Sequence, residues 1–166
     1  MALQHRPYRS SDRDACIEIF CSNVPRFFRD RELEDFTSFI DAFECPYFVV
    51  FSGEEIIGCG GFGMEADCET ASLCWGMVRR EHHGKRIGAY LLFFRLHEVA
   101  TTTDARFVRL RTSQHTEGFF RRYGFSTEST EPDGFAPGLD DVEMKIELTD
   151  ANRAEIDQHA RSAAGS

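Results

Sequence analysis

The sequence contains no C-x-x-C pair and no His-x-x-x-His step, although six cysteines stand at positions 16, 21, 45, 59, 68 and 74. Neither a redox dithiol nor a zinc site is indicated, so no metal is expected and the thiols are read as reduced and mostly buried. No run approaches the ~18 consecutive apolar residues of a membrane span, and residues 1–13 mix Arg and Asp with no apolar stretch of the secretory type. A soluble, cytoplasmic protein is the expectation. Basic residues are in deficit, with 19 Lys and Arg against 28 Asp and Glu and a net charge of -9. That balance opposes binding to nucleic acid or to an anionic membrane and favours a partner that is small or basic. Tryptophan occurs once, but 16 phenylalanines bring the aromatic share to 13% and the hydrophobic share is 42%, which describes a packed globule. A chain of 166 residues can bury a full core as one domain. Residues 1–149 are expected to form that single domain and residues 150–166 a poorly ordered tail ending Ala163-Ala164-Gly165-Ser166.

Periodicity places the elements. Residues 3–8 read as a first strand, and Ser10-Ser11-Asp12 caps a helix with apolar positions Cys16, Ile19 and Phe20. A second amphipathic helix follows Asp30, with Leu33, Phe36, Ile40 and Phe43 on one core-facing side. Residues 46–51 and 56–62 form a hairpin about Ser52-Gly53, with bulges at its glycines. Residues 70–78 are a further strand, 87–99 a strongly apolar helix and 107–112 a strand that follows a crossover and so runs parallel to the previous one. Residues 116–123 are a short helix stopped by Gly124, and 142–148 close the sheet. Residues 131–141, holding Pro132, Gly134, Pro137 and Gly138, are expected to be a loop. The class is α/β (α+β by some conventions).

The segment between the strand 70–78 and the helix 87–99 carries the chemistry. Val78-Arg79-Arg80-Glu81-His82-His83-Gly84-Lys85-Arg86-Ile87-Gly88-Ala89 puts small residues and two cations at a helix entrance. The first four N–H groups of a helix lack intrahelical partners and the helix dipole adds positive potential, so a pyrophosphate can be held there, with Lys85 and Arg86 adding charge. The bland reading is a capped helix with a solvated basic turn. A Walker loop is excluded, because Gly84-Lys85 is followed by Arg86 instead of Ser or Thr.

His83-Gly84-Lys85-Arg86-Ile87-Gly88 resembles the Gln/Arg-x-x-Gly-x-Gly/Ala signature of the GNAT superfamily of acyl-CoA-dependent N-acyltransferases, with Val78 ending the preceding strand. His83 stands in place of Gln or Arg, and Arg86 in place of the middle Gly. Phe119-Phe120-Arg121-Arg122-Tyr123-Gly124-Phe125 resembles the family's second block, Phe-Tyr-x-x-x-Gly-Phe. The resemblance covers roughly residues 3–148. It implies a mixed, mostly antiparallel central sheet with a splayed parallel strand pair and flanking helices. It also implies acetyl-CoA as acyl donor, held by His83, Gly84, Lys85, Arg86, Ile87, Gly88 and Ala89. The pantetheine arm would lie against Met77 and Val78, flanked by Phe119 and Phe120, with a backbone N–H polarising the thioester carbonyl.

The acceptor implied is a primary amine of a small molecule or peptide. With an amine pKa of about 10.4, a base or water relay must free the nucleophile at pH 7. Carboxylates near the strand before the signature are Glu65, Asp67 and Glu69, of which Glu69 is preferred. His115, after the strand 107–112, is a second base candidate, since imidazole titrates near neutrality. The family's acid is the Tyr of its Phe-Tyr pair, where this chain has Phe120. Tyr123, one helical turn on, is the substitute considered. Thiolate departure needs no strong acid, since a thiol pKa is about 8.5. Two other readings stay open: a non-catalytic acyl-CoA-binding or interaction module, motivated by Phe120, and an α/β domain with no CoA site. Exposed strand edges near the C-terminus are compatible with a homodimer.

Overall fold

The computed structural model of the chain describes residues 2–42 and 44–164. Seven strands and five helices follow in the order β1 (Gln4–Pro7), α1 (Arg13–Ser22), α2 (Leu33–Ala42), β2 (Tyr47–Ser52), β3 (Glu55–Met64), β4 (Thr70–Val78), α3 (Ile87–Thr102), β5 (Phe107–Thr112), α4 (Glu117–Arg122), β6 (Ser126–Ala136), β7 (Leu139–Glu147) and α5 (Asp150–Ala164). The strands make one sheet in the order β1-β2-β3-β4-β5-β7-β6. Every neighbouring pair is antiparallel except β4 and β5. That exception follows from α3, because a strand reached through a crossover helix returns in the same direction.

Two cores sit on the two faces of the sheet. On one, Leu91, Leu92, Leu96 and Val99 of α3 pack against Val108, Val142 and Met144 of the sheet. On the other, Cys16, Ile19 and Phe20 of α1 and Phe36 and Ile40 of α2 pack against Val49, Cys59 and Met77. The helical spacing of these side chains is what the sequence displayed, and Leu33 also packs on this second core. Phe43, expected on the same stripe, lies outside the described residues.

Two expectations are corrected. Residues 131–141 are not a loop: β6 runs to Ala136, Pro137-Gly138 makes the turn with Gly138 at φ +75, and β7 begins at Leu139. The Pro and Gly residues are absorbed by a register slip between Glu131 and Ala136, which an edge strand such as β6 tolerates because its missing N–H leaves no inner ladder broken. Residues 150–164 are not a frayed tail but α5, which packs on α3. Among its described side chains Ile156 is the one deeply buried, at 3% exposure. Arg153 fastens it by donating to the carbonyls of Leu148, Ala100 and Ala105 at 3.0, 3.2 and 2.9 Å. Among the described residues no helix is long and apolar enough to cross a membrane.

Candidate active site

The chain leaves β4 at Val78 and enters α3 at Ile87 through a turn held from three sides. The Arg79 N–H donates to the Ile57 carbonyl at 2.8 Å. The Val78 carbonyl accepts from buried Asn23 Nδ2 at 2.9 Å and lies 2.9 Å from His83 Nε2. Asn23 also donates to the Ile19 carbonyl, and Ser22 Oγ accepts the Arg80 N–H. The C-terminal end of α1 therefore fixes the turn. His83 thus fastens the loop onto its own strand, a role that its departure from Gln or Arg did not reveal.

Beyond His83 the backbone turns through two left-handed residues, Gly84 at φ +79 and Arg86 at φ +63. The N–H groups of Ile87, Gly88 and Ala89 then open α3 with no carbonyl behind them in the helix. No acidic residue occupies this first turn, so the positive end of the dipole is uncompensated. Arg79 pairs with Glu18 at 3.2 Å and lies 3.8 Å from Glu55, and His82 is 3.6 Å from Glu55. Exposed Lys85 and Arg86 have no ion-pair partner among the described residues. A Cβ at Gly84 would meet nothing within 4 Å. The site fits a pyrophosphate: open backbone, unpaired donors and two uncommitted cations.

Arg86 holds a left-handed conformation that costs a side-chain-bearing residue about 1–2 kcal/mol. Arg86→Gly is accordingly expected to raise stability by about 1 kcal/mol, read as a higher urea midpoint at unchanged slope. The same change removes a cation from the helix entrance and is expected to weaken acetyl-CoA binding about fivefold, an exposed charge pair being worth up to about 1 kcal/mol. The two effects have opposite signs, so a variant that is both more stable and weaker in binding is the distinctive result.

Next to the turn the sheet opens. β4 and β5 share only the rungs Thr70–Phe107, Ala71–Val108 and Ser72–Arg109. Past Ser72 the strands part, and β4 carries a register shift opposite Cys59 and Gly61, with Trp75 at φ +43. Met77 is buried at 3% and Val78 packs on the α3-side core. Phe119 of α4 lies against the helix entrance, its Cζ 3.5 Å from where a Gly88 Cβ would be. Phe120 packs edge-on to Phe119 and Phe125, with centroids 5.0 and 5.8 Å apart.

At the mouth of the opening, Phe27 stands between two imidazoles, 5.2 Å from His83 and 6.2 Å from His115. The loops around it are laced together. Arg29 donates to the Pro137 carbonyl at 3.3 Å and Arg31 to that of Phe135. Gln114 donates to Gly138 at 2.9 Å and accepts from the Asp140 N–H at 3.0 Å. Asn23 gave no signal in the sequence, since nothing in a loop's local pattern tells which distant strand end it will cover.

The carboxylate expected as base is elsewhere. Glu69 immediately precedes β4, nine residues from Val78, which at strand rise is about 30 Å from the turn. It is exposed and pairs with Arg106 at 3.2 Å. Its neighbours are also committed. Asp67 accepts from Thr70 Oγ1 and from the N–H groups of Glu69 and Thr70, bonds that hold its carboxyl below the usual range. Glu65 bonds Ser72 Oγ and Arg109. All three serve the β3–β4 turn. Glu69→Gln should therefore leave turnover within about twofold, a result checked by initial rates under saturating acetyl-CoA. Tyr123 is committed to packing: its ring sits edge-on to Phe93 and Phe119, at 5.1 and 5.2 Å. Phe93 is six residues into α3, about 9 Å along the helix from its entrance. Packing of α4 on α3 is what Tyr123 does here. His115 alone among the three proposed catalytic residues lies at the mouth.

The family model of the acetyltransferase (GNAT) domain matches residues 24–148. The chain belongs to this family. The fold agrees with that of a GNAT-family protein from Desulfovibrio desulfuricans, at TM-score 0.77 and 21% identity over 89% of this chain and 100% of that one. It also agrees with yncA from Salmonella typhimurium, solved with its cofactor acetyl-CoA, at 0.70 and 21% over 90% and 96%. An aminoglycoside 6'-N-acetyltransferase complexed with coenzyme A gives 0.72 and 12% over 90% and 98%. No curated protein sequence matches this chain.

Proposed function

We propose that the protein transfers an acetyl group from acetyl-CoA to a primary amine of a small molecule or peptide. One observation carries the reading: the unpaired helix entrance of α3 and the parting of β4 from β5 lie at the same end of the sheet, side by side. An anionic group can be held at the first while an extended arm lies in the second. Solved relatives with acetyl-CoA or coenzyme A bound support the same donor.

Acetyl-CoA is a substrate in this scheme. The N–H groups of Ile87, Gly88 and Ala89, with Lys85 and Arg86, would hold its pyrophosphate. Backbone at Met77 and Val78 would take the arm, and a strand N–H there would hydrogen-bond the thioester oxygen. The amine nitrogen attacks the carbonyl carbon to form a tetrahedral intermediate and its proton passes to His115. The C–S bond then breaks and CoA leaves as thiolate, which needs no acid at Phe120. Phe27 and the laced loops cover the mouth and limit water, which would otherwise compete for the thioester.

A non-catalytic acyl-CoA-binding module remains the second reading, favoured by Phe120 together with the packing of Tyr123 between Phe93 and Phe119. The test is thiol release from acetyl-CoA across a panel of amino acids, polyamines, aminoglycosides and peptide N-termini. Amine-dependent release above the hydrolysis background supports transfer; acetyl-CoA binding with no release on any amine supports the binding module instead.

A further inference from the structure

Arg95 lies in the apolar run of α3 and its side chain is 4% exposed. Among the described residues it has no carboxylate partner. Its Nε donates to the Leu91 carbonyl at 3.0 Å and its Nη1 to the Gly61 carbonyl at 3.3 Å. Nη2 has no acceptor among the described residues. Burial lowers the pKa of this group, while Cys74, Tyr47 and Cys59 face it and oppose the change. A guanidinium nonetheless stays charged in proteins.

Two glycines make its room. A Cβ at Gly76 would come within 2.7 Å of Nη2 and 2.9 Å of Nη1, and one at Gly60 within 3.1 Å of Cζ. A Cβ at Gly60 would also come within 3.1 Å of Gly76 Cα, and both glycines lie at the irregular stretch of the β3–β4 ladder, where β4 has already left β5. Gly76 is itself exposed. An uncompensated cation is therefore lodged directly behind the strand backbone that forms one wall of the opening. A packing role alone would be met by Met or Leu, with no buried charge to desolvate.

We propose that Arg95 is a positioning residue for acyl transfer, acting across the Gly76 backbone to polarise a thioester carbonyl lodged against Gly76 and Met77 and to steady the negative charge its oxygen gains on attack. The inference rests on the acetyl-CoA reading above. It concerns a field and involves no contact: the guanidinium stays behind the strand while the strand N–H makes the hydrogen bond. Charge placed close to a developing oxyanion in a site shielded from water acts at low effective dielectric and needs no reorganisation during reaction.

The test is the carbonyl ¹³C resonance of [1-¹³C]acetyl-CoA bound to the wild type, to Arg95→Met and to Arg95→Lys, read without any amine. A downfield shift on binding to the wild type, at least halved by Met and kept by Lys, is the expected result. With a reactive amine, Met should lower kcat about tenfold and leave KM for acetyl-CoA within about twofold. Should Met fail to fold, Arg95→Gln is read in the same way. Equal shifts in the wild type and the uncharged variant overturn the proposal while leaving the donor reading intact. Failure of the wild type to bind acetyl-CoA overturns the donor reading itself.

Discussion

Gly88→Trp is expected to reduce acetyl-CoA affinity by about 100-fold or more, the equivalent of losing two or three charge-assisted hydrogen bonds. A methyl at this position would meet only Phe119 Cζ and Cε2, at 3.5 and 3.7 Å, which is ordinary contact. Gly88→Ala should therefore fold normally and keep most of its affinity. An indole cannot share that space: it must push Phe119 aside or lie over the N–H groups of the helix entrance, and both close the approach for phosphate. Calorimetric titration with acetyl-CoA and with CoA distinguishes the outcomes. Loss in Trp and retention in Ala, with melting temperatures close to that of the wild type, places the pyrophosphate at Gly88. Equal affinity in all three proteins would show that the cofactor does not use this helix entrance.

His115→Ala should lower kcat by about 10²–10⁴, the usual value of general acid–base assistance, with KM for acetyl-CoA unchanged. His115 is exposed beside Phe27 and outside the cores, so its removal leaves no cavity in them. Partial recovery on adding free imidazole would show that a base and not packing had been lost. A rate unchanged by this substitution would shift the base role to His83 or to a water. His83 carries a second burden, because its Nε2 contact with the Val78 carbonyl also holds the turn. A His83 substitution would therefore be expected to change acetyl-CoA binding and rate together.

Much of this architecture was legible because it is written in periodicity. Leu91, Leu92, Leu96 and Val99 announce α3, and the alternation of Val108 and Leu110 with Arg109 and Arg111 announces β5. β6 was hidden because most of its residues are exposed, so no inward and outward faces alternate, and Pro132 and Gly134 read as breakers. α5 was hidden for a related reason: it docks through Ile156, the stack of His159 on Phe93 and three hydrogen bonds from Arg153, too few apolar positions to make a stripe. The open helix entrance after β4 was legible because unpaired N–H groups follow from strand, turn and helix alone. The position of Glu69 relative to the opening was not legible because the local sequence of β4 does not say at which of its ends β5 departs; that is decided by where the three parallel rungs form. Arg95 did leave a signal, as a lone charge in the apolar run from Leu91 to Leu96.

The shortness of that parallel ladder has a further consequence. From Leu73 to Val78, β4 is bonded to β3 on one side only, so the middle of a seven-stranded sheet contains what is in effect a border. A border strand ordinarily invites another extended chain to add itself, and the lacing of the loops around Phe27 shields this one from doing so with a second protein. What can enter is narrow, extended and rich in amides. A pantetheine arm has that form, so donor binding would act as a stitch between two halves of the sheet, and the free protein would be the looser of its two states.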